Sequence, residues 1–187
     1  LGEYGEAALK GAVFTGVSTT NTIAAGNVNA AAAAATTNTG VLNPLTSTST
    51  VIILEVSCAI QSGTPGVGSI YHSRSTATTI LTSVTGFTRG ISALSGAATA
   101  QAWVLDSDAG VALTGSTALT TVGAWGAPLT ATAITTSATS PGTLVSKISG
   151  GLVLNPGDMY LPTFTAAGTT MICNFSYLWV EIPTTVV

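Results

Sequence analysis

The one histidine, His72, is the residue whose chemistry would matter most if this chain were an enzyme. A Ser-His-Asp arrangement for nucleophilic catalysis would have to combine it with one of many serines. Its surroundings, Tyr71-His72-Ser73-Arg74, contain no nucleophile elbow or comparable catalytic motif. The pattern favours an ordinary strand or interface histidine. We therefore expect no catalytic residue and no enzyme activity.

The carboxylates are better explained by turns than by a metal site. Asp106 and Asp108, followed by Gly110, are similar to half of a calcium loop, but the glycine is misplaced and the distal glutamate is missing. Asp158 follows Pro-Gly and is also typical of a turn. Glu55, inside an apolar strand, either faces solvent or pairs with a basic residue across a subunit boundary. We expect no metal and no cofactor.

The large aromatic residues and the cysteines have alternative roles to weigh. Trp103, Trp125 and Trp179 could form a platform for a sugar, but in a chain with 6% aromatic residues such rings are more often core anchors. Cys58 and Cys173 are too few for a disulfide scaffold and lack the spacing of a metal site. The tryptophans are therefore interpreted first as core residues.

The charge content limits the partners. Only 6% of the 187 residues are charged, against about 25% in an average globular protein. The four basic residues are scattered, whereas nucleic-acid binding needs clustered Lys and Arg, so no nucleic-acid partner is expected. No apolar run approaches the ~20 residues of a membrane span, and no signal-peptide pattern opens the chain. A surface of Ser, Thr, Ala and Gly suits a permanent assembly better than a free monomer.

The elements that position these residues are predicted to be strands. Thr170 to Ile182 and Val51 to Ile60 alternate with period two and should be the central strands of a sheet. The heavier face of the later strand carries Met171, Cys173, Phe175, Tyr177 and Trp179. The corresponding face of the earlier strand carries Ile52, Leu54, Val56, Cys58 and Ile60. Both faces should cover a core.

Other strands are separated by turn signals at short intervals. Asn155-Pro156-Gly157-Asp158 is a strong turn cluster. Residues 111–142 have little pattern and are predicted to be a long loop with short strand pieces. Strands every eight to twelve residues, with no convincing long helix, indicate an all-β sandwich or barrel.

The first forty residues differ from the rest. Glycines weaken a helix in residues 1–14, and the run Ala30 to Ala35 is too short for a stable isolated helix. We expect residues 1–40 to form an extended N-terminal arm that becomes ordered against a neighbour, and residues 41–187 to form the β domain. The arm residues expected at an interface are Tyr4, Leu9, Val13 and Phe14.

Both ends of the chain carry motifs that resemble a known family. Near the start stand Tyr4, Gly11-Ala12-Val13-Phe14 and Leu42-Asn43-Pro44. Near the end stand Leu152-Val153-Leu154-Asn155-Pro156-Gly157-Asp158 and Phe175-Ser176-Tyr177-Leu178-Trp179-Val180-Glu181-Ile182-Pro183. With these motifs the chain resembles small structural proteins of tailed bacteriophages. Residues 61–145 match that family in composition alone.

The resemblance implies a fold and a function. The fold would be a single antiparallel jelly roll with the N-terminal arm. The protein would be a non-enzymatic virion component, a capsid decoration or other head-surface protein, assembled in the bacterial host cytoplasm. Its partners would be itself, as a homotrimer, and the major capsid protein or another virion protein. The alternative is a receptor- or carbohydrate-binding module of a phage tail or cell surface, which exposed aromatic residues in 111–142 would favour.

A jelly roll also predicts the position of the cysteines. Its first and last strands pair antiparallel, so Val51 to Ile60 should lie beside Met171 to Val180. In the register we expect, Cys58 and Cys173 face each other directly. They should then be two neighbouring buried thiols, reduced as made in a bacterial cytoplasm and packed as small hydrophobic side chains.

Overall fold

A computed structural model of the chain describes residues 5–18, 21–22, 39–62, 68–76, 87–92, 100–105, 120–129, 143–164 and 172–184. Within these ranges one short helix, α1 (Gly5–Leu9), precedes the strands. The strands, in chain order, are β1 (Val13–Val17), β2 (Asn21–Thr22), β3 (Gly40–Leu42), β4 (Ser49–Ser62), β5 (Gly68–Thr76), β6 (Phe87–Arg89), β7 (Ile91–Ser92), β8 (Trp103–Leu105), β9 (Thr120–Leu129), β10 (Thr143–Leu154), β11 (Asp158–Phe164) and β12 (Ile172–Pro183).

The described strands form two antiparallel sheets packed face to face. Sheet I has the order β10-β4-β12-β1-β7, with β2 also pairing with β12. Sheet II has the order β6-β8-β3-β11-β5-β9. The strand pattern predicted an all-β sandwich or barrel, and the structure confirms the sandwich. β4 and β12 are inner, paired strands of sheet I. The finer jelly-roll winding stays a prediction.

The core lies between the sheets and draws on both. Phe175, Tyr177 and Trp179 of β12 are each 0% exposed, while the intervening Ser176 and Leu178 are half-buried. The inward face predicted for the described part of this strand is thus confirmed. Sheet II contributes Val41, Val104 and Tyr160 to the same cluster. Burying these apolar side chains is the dominant force that holds the sheets together.

The inward face of β4 differs from the strict alternation that we expected. Val51 and Ile53 are buried in the core cluster with Val56 and Cys58, so Ile52 lies on the other face. The reason is a bulge: Ile53 pairs with Trp179 and Glu55 pairs with Leu178, which leaves Leu54 as an extra residue. One extra residue shifts the period by one and exchanges the two faces on either side of it.

Part of the expected arm is a strand of the sandwich. β1 pairs with β12 along its whole length, from Val13 opposite Val180 to Val17 opposite Ser176. Phe14 is 5% exposed and belongs to the core cluster. The expectation that residues 1–40 become ordered only against a neighbour is therefore wrong for β1. β1 has five residues whose burial falls from Val13 to Val17 without alternating, so no period of two marks it in the sequence. The Ala30 to Ala35 run lies outside the described residues.

A second correction concerns residues 111–142, which we expected to be mostly loop. Within that range β9 is a ten-residue strand that pairs with β5. Its Thr, Ala and Gly residues carry no hydrophobic period, so the strand is decided by its hydrogen-bonded partner and not by its own pattern. The remainder of that range lies outside the described residues.

The turn at Asn155–Asp158 forms as its residue types predict. The amide of Asp158 donates to the carbonyl oxygen of Asn155 at 2.9 Å, which closes a four-residue turn. Gly157 has a φ of 93°. With proline at the second position and a positive φ at the third, this is a type II turn, in which glycine avoids the strain that a side chain would cause. It carries the chain from β10 in sheet I to β11 in sheet II.

Candidate functional site

His72 lies between the two sheets and is held at both ring nitrogens. It is 6% exposed and sits on β5 of sheet II. Its Nδ1 lies 2.9 Å from the Tyr160 hydroxyl on the neighbouring strand β11. Its Nε2 lies 2.9 Å from Ser146 Oγ on β10, in sheet I. A neutral imidazole donates through one nitrogen and accepts through the other, so both hydroxyls are satisfied by the uncharged ring.

This arrangement has the outline of a nucleophile, a base and an orienting group. Ser146 and His72 are within the hydrogen-bond distance that an activated serine needs, and Tyr160 holds the far side of the ring. Burial, however, lowers the pKa of His72 from 6.5 to about 4. A base with that pKa binds a proton about a thousandfold more weakly than one with a pKa near 7. The three residues therefore have the geometry of a triad, but His72 is a weak base, and the phenol of Tyr160 lies where catalytic triads have a carboxylate.

Tyr160 also makes a ring contact with Tyr177 of sheet I. The two rings meet edge to face with centroids 6.1 Å apart. The Tyr177 hydroxyl lies 2.9 Å from Thr39 Oγ1, which joins β12 of sheet I to the segment that enters β3 of sheet II. Burial raises the pKa of the Tyr177 phenol well above its ordinary value, so it stays protonated.

Glu181 is a second buried polar group, at the end of β12. It is 8% exposed, and its carboxylate accepts the backbone amides of Gln101 and Ala102, each at 2.9 Å. It also accepts the indole N–H of Trp179 at 3.2 Å. These donors satisfy the charge that burial would otherwise destabilise. The carboxylate thus fixes the segment before β8 onto sheet I and orients the largest core side chain.

Gln101 extends this attachment to the corner between β3 and β4. Its Oε1 accepts the Thr48 amide at 2.7 Å and the Ser47 hydroxyl at 3.0 Å. Asn43, at the start of the same corner, is 0% exposed and donates through Nδ2 to the carbonyl oxygens of Ser49 and Leu154. Asn43 therefore binds backbone groups, as most buried polar side chains do, and Gln101 binds both a backbone amide and a hydroxyl.

The expected interface residues have different positions in the structure. Val13 and Phe14 are 3% and 5% exposed within a single chain, and the Phe14 ring stacks on Trp179 with centroids 6.3 Å apart. Their assignment to a subunit interface is therefore wrong, because other parts of the same chain already cover both side chains. Leu9 ends α1, but its side chain lies outside the described residues, as does the whole of Tyr4.

The cysteines are not directly opposite each other. The backbone register places Cys58 opposite Phe175 and Cys173 opposite Ile60, two residues away from the expected pairing. The extra residue Leu54, at the irregularity between Leu178 and Trp179, accounts for one of these two residues, and it cannot be read from alternation alone. Cys58 is 0% exposed in the core, as expected. The side chain of Cys173 lies outside the described residues, so the proximity of the thiols stays a prediction.

Most of the remaining candidate site residues that the structure describes have structural roles. Trp179 is a core anchor and Trp103 is half-buried; the side chain of Trp125 lies outside the described residues. Asp158 is a turn residue, since its Oδ2 accepts the amide of Asn155 at 3.0 Å. Asp106 and Asp108 lie outside the described residues. Sequence reasoning missed the partners of His72 and the role of Glu181, because each depends on residues distant in the chain.

Comparison with known proteins adds no relative. No family model, curated protein or solved structure matches the chain. In the described ranges, no three His, Cys, Asp or Glu side chains come together as metal ligands would. Within these ranges, no helix has both the length and the hydropathy that a membrane-spanning segment needs.

Proposed function

We propose that the chain is a non-enzymatic structural protein of a virion, a capsid decoration or other head-surface component. The observation that carries this proposal is that the reactive side chains are buried in contacts within the fold. His72, Glu181, Asp158 and Trp179 all lie in the fold's own contacts, with exposures of 8% or less. Side chains of these types can act in catalysis or ligand binding in other proteins, whereas in this fold they hold the two sheets and their corners together.

The composition supports the same proposal. A chain with 6% charged residues has little charge to keep it soluble as a free monomer. Assembly into a particle removes that requirement, and closed symmetric oligomers are the common solution. The phage-family resemblance adds a homotrimer, contact with the major capsid protein or another virion protein, and assembly in the bacterial host cytoplasm.

Cryo-electron microscopy of virions from the genome that encodes this chain tests the proposal. We expect density for the sandwich on the head surface, in a copy number set by the capsid lattice. Density confined to the tail, together with binding to purified host glycans, would favour the receptor- or carbohydrate-binding alternative. Absence of the chain from purified virions would contradict both the structural role and a tail module, and would leave the cell-surface form of the alternative.

A truncation tests which segment attaches to the shell. Because β1 belongs to sheet I and Phe14 to the core, the deletion must stop before β1. Removal of residues 1–9 should leave the sandwich folded, as measured by circular dichroism, while lowering occupancy on particles. Full occupancy of the truncated protein would show that this segment is not the anchor.

A further inference from the structure

The edge strand β10 has two halves that are held differently. Its second half, residues 152–154, carries Leu152 and Leu154, which are 2% and 0% exposed. The carbonyl oxygen of Leu154 also accepts a hydrogen bond from the buried side chain of Asn43 at 3.0 Å. The second half is therefore fixed both to the core and to the corner between β3 and β4.

The first half, residues 143–148, has fewer contacts of this kind. Its inward-facing side chains, Leu144, Ser146 and Ile148, are all half-buried, and the two apolar ones pack against the margin of the core cluster. Among the described residues, the side-chain hydrogen bond from this segment to sheet II joins Ser146 Oγ to His72 Nε2 at 2.9 Å. Attachment of the first half to sheet II therefore depends on His72.

The pairing of β10 with β4 is interrupted between the two halves. The ladder stops at Lys147 and resumes at Leu152, so four residues of β10 stand opposite one residue of β4. Two of these four are Gly150 and Gly151, and glycine has the backbone freedom that a hinge needs. In the described sheet, β10 is an edge strand and β4 is its one partner. The first half can therefore move while the ladder of the second half stays intact.

The first half of β10 helps to keep water away from the His72 ring. The ring is 6% exposed, and Ser146 lies against its Nε2 atom. Burial lowers the pKa of His72 to about 4, and no nearby charge contributes to that shift. Movement of residues 143–148 away from sheet II would admit water to the ring and remove the cause of the shift.

The groups of sheet II that face His72 do not stabilise a charged ring. Arg74, two residues along β5 on the same face, is exposed and positive. On β11 the facing groups are the Tyr160 phenol and, four positions beyond Pro162, Asp158 at the end of the strand; Pro162 is the residue opposite His72. β9 contains no titratable residue. In sheet II, the charge nearest to the ring along the strands is therefore that of a cation.

Sheet I also brings no charge towards the ring in the described residues. Lys147 is exposed and lies on the outer face, since it follows the inward-facing Ser146. Glu55 is directly opposite Lys147 and therefore shares that outer face. The titratable groups on the inner face are the Cys58 thiol and the Tyr177 phenol, both 0% exposed. A proton on His72 is consequently unpaired as long as residues 143–148 cover the ring.

From these observations we infer that residues 143–148 form an acid-operated flap, which protonation of His72 releases from sheet II while residues 152–154 stay in place. The open form exposes the ring to water and binds the proton more tightly than the closed form. Proton binding therefore shifts the equilibrium towards the open form. This motion is local, and it is independent of the proposed virion role.

Amide hydrogen exchange of the full chain, followed by NMR, tests the inference. Between pH 7.5 and pH 5 the opening of residues 143–148 should increase by up to about 30-fold, given a His72 pKa of 6.5 in water and about 4 in the closed form. The rates are corrected for the intrinsic pH dependence of amide exchange. Amides of residues 152–154 should keep their protection. An equal increase in both halves, or no increase in the first, would overturn the inference.

Two substitutions identify the titrating group. His72→Gln should abolish the pH dependence of exchange in residues 143–148, because glutamine does not titrate. Glu55→Gln removes the carboxylate opposite Lys147 and should leave the pH dependence unchanged. Circular dichroism at pH 7.5 checks that both variants are folded. A pH dependence that persists in His72→Gln, or disappears in Glu55→Gln, would overturn the inference.

A third substitution tests the hydrogen bond without altering the histidine. Ser146→Ala should increase exchange of residues 143–148 at pH 7.5 by about three- to tenfold, which corresponds to the loss of one hydrogen bond. Ser57→Ala is the matched control, because Ser57 is also half-buried and lies opposite Val145, on the outer face. It should leave exchange in residues 143–148 unchanged. Equal effects of the two alanine variants would overturn the role of the Ser146–His72 bond.

Discussion

The side-chain nitrogen of Asn43 lies 3.0 Å from the carbonyl oxygen of Leu154, although 111 residues separate them in the chain. The same nitrogen donates to the carbonyl oxygen of Ser49 at 2.8 Å. The backbone of Asn43 adds two bonds: its amide donates to Asp158 at 2.9 Å, and its carbonyl oxygen accepts the Gly157 amide at 2.8 Å. One buried asparagine therefore joins the two corners at which the chain passes between the sheets.

Replacing Asn43 should consequently destabilise the whole sandwich. Asn43→Ala removes both side-chain bonds and leaves two carbonyl oxygens without that donor, which should cost about 2–4 kcal/mol of unfolding free energy. Urea unfolding followed by circular dichroism measures the loss. Asn155→Ala is the control, because Asn155 is exposed, and should change stability by less than about 0.5 kcal/mol. Equal losses in the two variants would contradict the role of Asn43.

Acid should destabilise the protein through His72. Burial holds the pKa of His72 at about 4 in the folded protein, against 6.5 in the unfolded chain. The unfolded state therefore binds the proton first, and stability falls as the pH drops from 6.5 to 4. The loss levels off below pH 4 at no more than about 3 kcal/mol. His72→Gln should remove this part of the pH dependence, as measured by the difference between the two stability profiles. Parallel profiles would contradict it.

Glu181 should be the carboxylate that matters most for stability among those described. Glu181→Ala leaves the amides of Gln101 and Ala102 and the indole of Trp179 without their acceptor, which should cost about 3 kcal/mol. The near-ultraviolet signal of tryptophan should also weaken as the indole loses its orientation. Glu6→Ala removes an exposed pair with Lys10 and should cost less than about 0.5 kcal/mol. A similar melting temperature for both variants would refute the assignment.

We expect the stability of the fold to require glycine at position 90, because the Trp179 ring fills the space beside it. A Cβ at Gly90 would overlap Cζ2 and Cη2 of that ring and lie 3.1 Å from the Cβ of Ala100. Gly90→Ala should therefore cost about 1–3 kcal/mol. Gly151→Ala meets only the carbonyl oxygen and side chain of Ile148, at 3.3 Å and 3.9 Å, and should cost less.

A double-mutant cycle identifies the cause of that loss. Trp179→Phe makes room beside Gly90, so the two substitutions together should cost less than the sum of their separate costs. Additive losses in thermal unfolding would show that the Trp179 ring is not what excludes a side chain at Gly90.

The sequence predicted those parts of the structure that depend on residues close together in the chain. The alternation in β12 predicts that Phe175, Tyr177 and Trp179 face the core, because a strand turns successive side chains to opposite faces. The residues Asn155-Pro156-Gly157-Asp158 predict their turn, because proline and glycine select its dihedral angles. Together with the spacing of the strands, these signals predicted an all-β fold, a sandwich or a barrel.

Tertiary structure decided the features that depend on which strands become neighbours. The bulge at Leu54 reverses the faces of β4, and β9 is a strand because β5 lies beside it. The partners of His72, Tyr160 and Ser146, are 88 and 74 residues away in the chain. No local period encodes such distances. They follow from the register of paired strands and from burial of the groups that the register brings together.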